Sequence, residues 1–240
     1  MSSDSFKFSN AVVVAPLLAI LSIWIVFWVE VQFGINLNDY GVYPRRLSGL
    51  KGVLFSPFIH GSIKHLYNNT IPLAVLTAFL FYFYHSAALR VLLFGTLASG
   101  LLTWAIARPS YHIGASGVIY LLASFIFFKG ILAKNYRLVA LSLVVVFIYG
   151  SMIWYIFPVK DGISWEGHLA GFATGLVFAF ITKVRVPEVQ KYDWEQEDFN
   201  EDDDPFLKHF DEQGNFIETS SEDNEQKIEI KYHYKESDED

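Results

Sequence analysis

The feature that most constrains this chain is the run Ala11–Phe33, 23 residues in which Glu30 is the only charge. A helix needs about 20 mostly apolar residues to cross a hydrocarbon core of ~30 Å, so this run is long enough to span a bilayer. It is too long for a signal-peptide core, only Lys7 precedes it as a basic residue, and no small-residue cleavage pattern follows. It therefore reads as a retained span. Further apolar runs at 63–84, 88–107, 116–128, 136–158 and 165–182 bring the count to six. One polar, turn-rich stretch, Gly34 to His60, separates the first two; its apolar Val53-Leu54-Phe55 and Phe58-Ile59 suggest partial embedding. Spanning segments must satisfy their own backbone groups, which in runs of this length means helices. The expected fold is an all-α membrane protein: a segment 1–10, then a six-transmembrane-helix bundle over 11–183.

Charge separates a further region, 184–240. Residues 188–240 hold 20 of the 25 acidic side chains and 5 of the 18 basic ones, so the formal charge of −7 belongs to the tail. Blocks such as Glu201-Asp202-Asp203-Asp204, with few apolar neighbours, point to a disordered acidic tail. Only Ile228 to Tyr234 alternates as a short strand does. Lys and Arg divide almost evenly between the two sides of the bundle, so charge gives little orientation. The absence of Cys excludes disulfides, thiolate metal sites and a cysteine nucleophile.

A polar or ionisable side chain at bilayer depth is costly and therefore marks a candidate site. Asn69 lies in the second run, Ser116 opens the fourth, and His168 lies in the sixth. These three runs cross in the same direction. Measured back from His85, Lys129 and Lys183 as markers of their common exit level, the three residues sit 16, 13 and 15 positions inside. At ~1.5 Å per residue these are depths of about 24, 20 and 22 Å, one level in the membrane. His65 shares the Asn69 face one turn away. The fourth run covers only about 20 Å, so the backbone at Gly114-Ala115-Ser116-Gly117 lies within the bilayer yet outside a regular helix, which requires protein cover or a water-filled cavity.

Taken singly, Ser116 reads as a helix cap, and His168 and Asn69 as interhelical hydrogen-bonding groups. Gly171 and Gly175, at offsets of three and seven from His168, read as a close-packing seam. Together at one depth they read as chemistry. A serine becomes nucleophilic when an imidazole takes its proton, and the resulting oxyanion needs donors, here Asn69, His65 and the Ser116 amide. His60 and His112 read as interfacial polar residues. The intramembrane metalloprotease signature H-E-x-x-H is absent, no run contains an aspartate pair, and a transport path would lack carboxylates.

Gly114-Ala115-Ser116-Gly117 resembles the GxSG motif of the rhomboid intramembrane serine proteases. His168 with Gly171 and Gly175 is similar to that family's H-x-x-G-x-x-x-G, and His60, His65 and Asn69 resemble its histidine-rich second helix. The resemblance covers roughly residues 10–183. It implies peptide-bond hydrolysis in or near transmembrane segments of other proteins, with Ser116 and His168 as a dyad and Asn69, His65 and Gly114 around the oxyanion. It also implies that Tyr120 packs on the catalytic imidazole. It implies no metal or organic cofactor, partners that are transmembrane proteins and lipid rather than nucleic acid, and residence in the inner or plasma membrane. One departure stands in the first loop, where Lys51-Gly52 occupies the neighbourhood of the family's Trp-Arg pair. The alternative from the same family is a non-proteolytic protein that escorts client spans; such relatives typically lack the serine or the histidine, and both are present here.

Overall fold

The computed structural model describes residues 6, 8–160, 162–184, 192, 199–200, 204, 206–211 and 213–217. The chain divides into two units, Met1–Glu188 and Val189–Asp240. The first is helical: α1 (Ala11–Phe33), α2 (Lys51–Phe55), α3 (Ile63–Phe83), α4 (His85–Ile106), α5 (Ser116–Leu132), α6 (Tyr136–Tyr149) and α7 (Trp165–Ile181). Among the described residues no strand forms, only isolated bridges such as Val42 with His112. Four segments are long and apolar enough to cross a membrane: α1, α3, α4, and α6 with the 3₁₀ turn Gly150–Ile156 that continues it. α5 and α7 are apolar but shorter, 17 residues each.

Polar caps start three of these helices. Ser62 accepts the His65 amide ahead of α3, Asn135 that of Arg137 ahead of α6, and Ser164 that of Gly167 ahead of α7, each relieving an N–H left without a helical partner. The apolar side chains then sort by neighbour. Leu66, Leu76 and Leu80 of α3, Ile119, Leu122 and Phe125 of α5, and Leu138 of α6 share one core. Leu17, Leu21, Ile25 and Trp28 of α1, Leu93 and Phe94 of α4, and Phe147 of α6, which is 91% exposed, face outward. An apolar surface so extensive fits lipid and not water. α5 is buried on nearly every face and packs against α3, α4, α6 and α7. A helix apolar all round belongs at the centre of such a bundle.

The fourth run ends later than the sequence suggests. Lys129, expected to mark the exit level, does not stop α5, which continues to Leu132 and is about 25 Å long. The lysine stem lies along the bundle and Nζ donates to the Ala179 carbonyl of α7 at 3.0 Å, so its charge is accommodated within the helix pair. The fifth run changes character part-way. α6 ends at Tyr149 and the chain tightens into 3₁₀ turns to Ile156.

α5 and α7 meet backbone to backbone. A methyl group built on Gly171 would overlap the Gly117 carbonyl oxygen, and one on Gly175 would overlap that of Leu121. Ser124 Oγ, donating to the Phe172 carbonyl at 2.8 Å, fixes the register of the pair. In the second unit, Asp211 accepts the amides of Gln213 and Asn215 at 2.9 and 2.8 Å, making a local turn inside a region expected to be unstructured. Most of the acidic tail, including Ile228 to Tyr234, lies outside the described residues.

Gly175→Leu is expected to lower the thermal midpoint of the detergent-solubilised protein by roughly 5–10 °C through overpacking. Val177→Leu, on the outward face, should leave it nearly unchanged; equal midpoints for both variants would show that the helices do not depend on this contact.

Candidate active site

Ser116 is the first residue of α5, and His168 lies in the first turn of α7. The α5–α7 seam brings them together: Ser116 Oγ and His168 Nε2 are 2.9 Å apart. The other ring nitrogen, Nδ1, is 2.9 Å from the Tyr155 carbonyl oxygen. A carbonyl can only accept, so Nδ1 carries the hydrogen and Nε2 presents its lone pair to the serine hydroxyl. The Tyr155 oxygen is available because the helix has given way to 3₁₀ turns, leaving late carbonyls without helical donors. Tyr120 lies flat on the imidazole, ring centroids 4.3 Å apart at 11°, and its hydroxyl donates to the Met152 carbonyl at 2.7 Å. Stacking and the Tyr155 bond together fix the ring's plane and tautomer.

α3 supplies the opposite wall. Gly114 adopts φ +107°, a conformation that favours glycine, and a Cβ there would lie 2.6 Å from His65 Cε1 and Nε2 and 3.6 Å from Asn69 Nδ2. The backbone before Ser116 thus passes directly over His65 and Asn69. Asn69 is 4% exposed, and its Nδ2 has no partner among the described residues. An unpaired buried donor is costly, and here it sits beside the serine loop. The first turn of α5, which Ser116 opens, likewise leaves N–H groups without helical partners. Next to Ser116 lies a cavity of about 40 Å³, large enough for water, whose mixed lining includes the polar side chains of Ser99, Thr103, His112 and Ser164.

His60 and His112, read from the sequence as interfacial polar residues, are both buried within the protein. The Ala115 amide donates to His60 Nε2 at 3.4 Å, so Nδ1 carries the hydrogen and faces the Phe58 carbonyl at 3.2 Å. Burial, helped by the neighbouring His65, pushes the His60 pKa down to about 4 and keeps it neutral. His112 Nε2 donates to the Arg108 carbonyl at 3.0 Å, and Nδ1 accepts the Ser164 hydroxyl at 2.5 Å. Its backbone pairs in both directions with Val42 at 2.9 Å. Burial likewise lowers the His112 pKa. These histidines hold the loop that presents Ser116.

A carboxylate not singled out among the polar residues of the apolar runs completes the frame. Glu166 is 3% exposed; its Oε1 accepts the Arg108 amide at 3.3 Å and lies 3.6 Å from the Arg108 guanidinium. Arg108 Nη2 also donates to the Ile163 carbonyl at 2.7 Å. This clasp ties the loop before Ser116 to the turn before His168. The rule that singles out His168, an ionisable group inside an apolar run, applies equally to Glu166. The first loop closes without the Trp-Arg pair: Gly52 packs on the Gly41 backbone, and Ser56 offers its carbonyl to the Gly114 amide at 2.9 Å.

Compared with known proteins, residues 48–185 match the Rhomboid domain. Uncharacterized proteins of Mycobacterium tuberculosis and Mycobacterium bovis are each 34% identical over 172 residues, which is 66% of this chain and 70% of the relative. An uncharacterized protein of Mycobacterium leprae is 30% identical over 155 residues, 61% of each chain.

Gly114→Ala should reduce fluorophosphonate labelling of Ser116 at least tenfold, because the new methyl meets His65 and the φ is unfavourable. Gly117→Ala, whose nearest atom would be the Gly167 oxygen at 3.4 Å, should retain most of it. Equal labelling in both would show that the Gly114 turn does not shape the site.

Proposed function

Because this chain belongs to the rhomboid family, we propose that it is an active intramembrane serine endopeptidase, cleaving peptide bonds in or near the transmembrane segments of other membrane proteins. It is an integral multi-pass membrane protein. In this reading the shorter helices α5 and α7 cross the bilayer together with the four long segments, six spans within residues 11–183, and the acidic region 184–240 lies outside the catalytic unit.

The observation that carries the reading is the 2.9 Å contact between Ser116 Oγ and His168 Nε2. His168 takes the hydroxyl proton as Oγ attacks the scissile carbonyl, then gives that proton to the leaving amine. A water repeats the sequence on the acyl-enzyme and frees the serine; the cavity at Ser99 and Thr103 is its route of supply. The backbone carbonyl of Tyr155 replaces an acidic third member: it steadies the protonated ring without placing a full charge at membrane depth. Asn69 Nδ2, the α5 amides and His65 stabilise the oxyanion. No step calls for a metal, and among the described residues no group of three His, Cys, Asp or Glu side chains is gathered that could hold one.

The test is cleavage of a panel of single-span proteins in proteoliposomes. Ser116→Ala and His168→Ala should each abolish cleavage with insertion intact, and the double variant should be no worse, since members of one unit act non-additively. Asn69→Ala should lower kcat by about 10²–10³. Binding of client spans by the wild type with no cleavage of any of them would favour an escort over a protease.

A further inference from the structure

The first loop, which joins α1 to α3, carries three basic side chains, Arg45, Arg46 and Lys51, and one acid, Asp39. All three basic residues are exposed, and none pairs with a described carboxylate. Asp39 lies beside Tyr111. The cations are nevertheless held in place. Arg46 lies over the Tyr43 ring, 4.7 Å from its centroid, and Lys51 Nζ lies over the Tyr40 ring at 4.3 Å. Arg45 holds φ +55°, a conformation uncommon outside glycine, and is pinned to the last turn of α4. Its amide donates to the Trp104 carbonyl at 3.1 Å and its Nη1 to that of Ala105 at 3.2 Å. Trp104 Nε1 returns a bond to the Arg46 carbonyl at 2.9 Å.

The loop is layered by depth. α1 and α3 are both long enough to cross a membrane, so the loop between them lies at one membrane face. Val53 of α2 rests against Gly100 of α4, where a Cβ would meet Val53 Cγ1 at 3.0 Å. Arg45 meets α4 five residues further on, at Ala105, which at ~1.5 Å rise per residue is about 7.5 Å nearer that face. Leu54 and Phe55 of α2 are exposed at the deeper level, and Leu47, next to Arg46 in the chain, is 83% exposed. Apolar side chains below and cations above follow the order of a lipid monolayer, hydrocarbon beneath phosphate. A soluble anion would need only the upper half of this arrangement.

We propose that Arg45, Arg46 and Lys51 form a headgroup site for an anionic phospholipid, its phosphate taken by the guanidinium groups and its acyl chains lying along Leu47, Leu54 and Phe55. Arginine suits the role, since a guanidinium stacked on a ring keeps its N–H edge free for two oxygens of one phosphate. Lys51 adds a point charge from the start of α2. The bound lipid holds a loop that is itself bonded to the serine loop, through Val42 with His112 and Ser56 with Gly114. The site requires only that the chain sits in a bilayer, so it stands whether or not the protein cleaves other spans.

The experiment uses the full-length protein reconstituted in phosphatidylcholine vesicles that contain a minor fraction of phosphatidylglycerol. A diazirine near the top of one acyl chain is carried by phosphatidylglycerol in one preparation and, at the same mole fraction, by phosphatidylcholine in the other. After illumination the adducts are mapped by peptide mass spectrometry. On residues 43–55 the phosphatidylglycerol probe should exceed the phosphatidylcholine probe by at least about fivefold, the scale of one basic residue at an anionic surface. Arg46→Gln, which breaks no side-chain hydrogen bond, should lower that ratio several-fold. Replacing Arg45, Arg46 and Lys51 together by Gln should bring it to about one. Lys64→Gln, at an exposed lysine of the first turn of α3, should leave it unchanged, as should excess inorganic phosphate at matched ionic strength. A wild-type ratio near one overturns the site, and so does a ratio that survives in Arg46→Gln and in the triple variant. An equal loss in Lys64→Gln would mark a diffuse effect of surface charge, and displacement by inorganic phosphate would mark a site for a soluble anion; either result overturns it too.

Discussion

The rest of the site depends on one contact, the Gly117 carbonyl lying against the bare backbone of Gly171. Two helices that approach without side chains between them have little freedom to slide, because any displacement opens a void or drives atoms into overlap. Ser116 is one residue from this contact on α5, and His168 is one turn from it on α7. Their 2.9 Å separation is thus set by a close backbone contact, and the proposed chemistry needs reacting groups placed to a fraction of an ångström. Gly175 and Ser124 extend the same register further down the pair.

Helix packing alone leaves the two ends of the site free to move, and a network of buried polar groups holds them. The loop carrying Ser116 is bonded to the first loop at Ser56 and Val42, to His60 through Ala115, and to the start of α7 through Arg108, His112 and Ser164. Every one of these groups except the Glu166 Oε2 atom has a hydrogen-bonding partner, which is what makes polar atoms tolerable at this depth. Asn69 Nδ2 stands apart from that pattern, a buried donor beside the serine loop with no partner among the described residues, as the proposed oxyanion role requires.

Much of this is legible in the sequence, for reasons specific to each residue. Ser116, His168 and Asn69 declare themselves because a polar side chain in an apolar run is costly unless it has a task, and the seam glycines because their spacing follows the helix turn. The GxSG and H-x-x-G-x-x-x-G resemblance names the family that the match over residues 48–185 shows. The Tyr155 carbonyl is not legible, since every residue has one and only the change from α to 3₁₀ turns frees it. The burial of His60 and His112 is not legible, because it depends on the loops that cover them. The end of α5 is misjudged because a lysine after an apolar run looks like the membrane surface, whereas the Lys129 head group bonds back to α7. Glu166 is hidden only by its place at the very start of the sixth run, where a charge reads as solvated.

The most direct measurement is mass spectrometry of the wild-type protein after reaction with a fluorophosphonate, with the modified residue identified by peptide mapping. A hydroxyl reacts only if a base activates it, so the adduct should fall on Ser116 alone, and the His168→Ala protein should give none. An adduct on another serine, or on Ser116 to the same extent in His168→Ala, would contradict activation of Ser116 by His168.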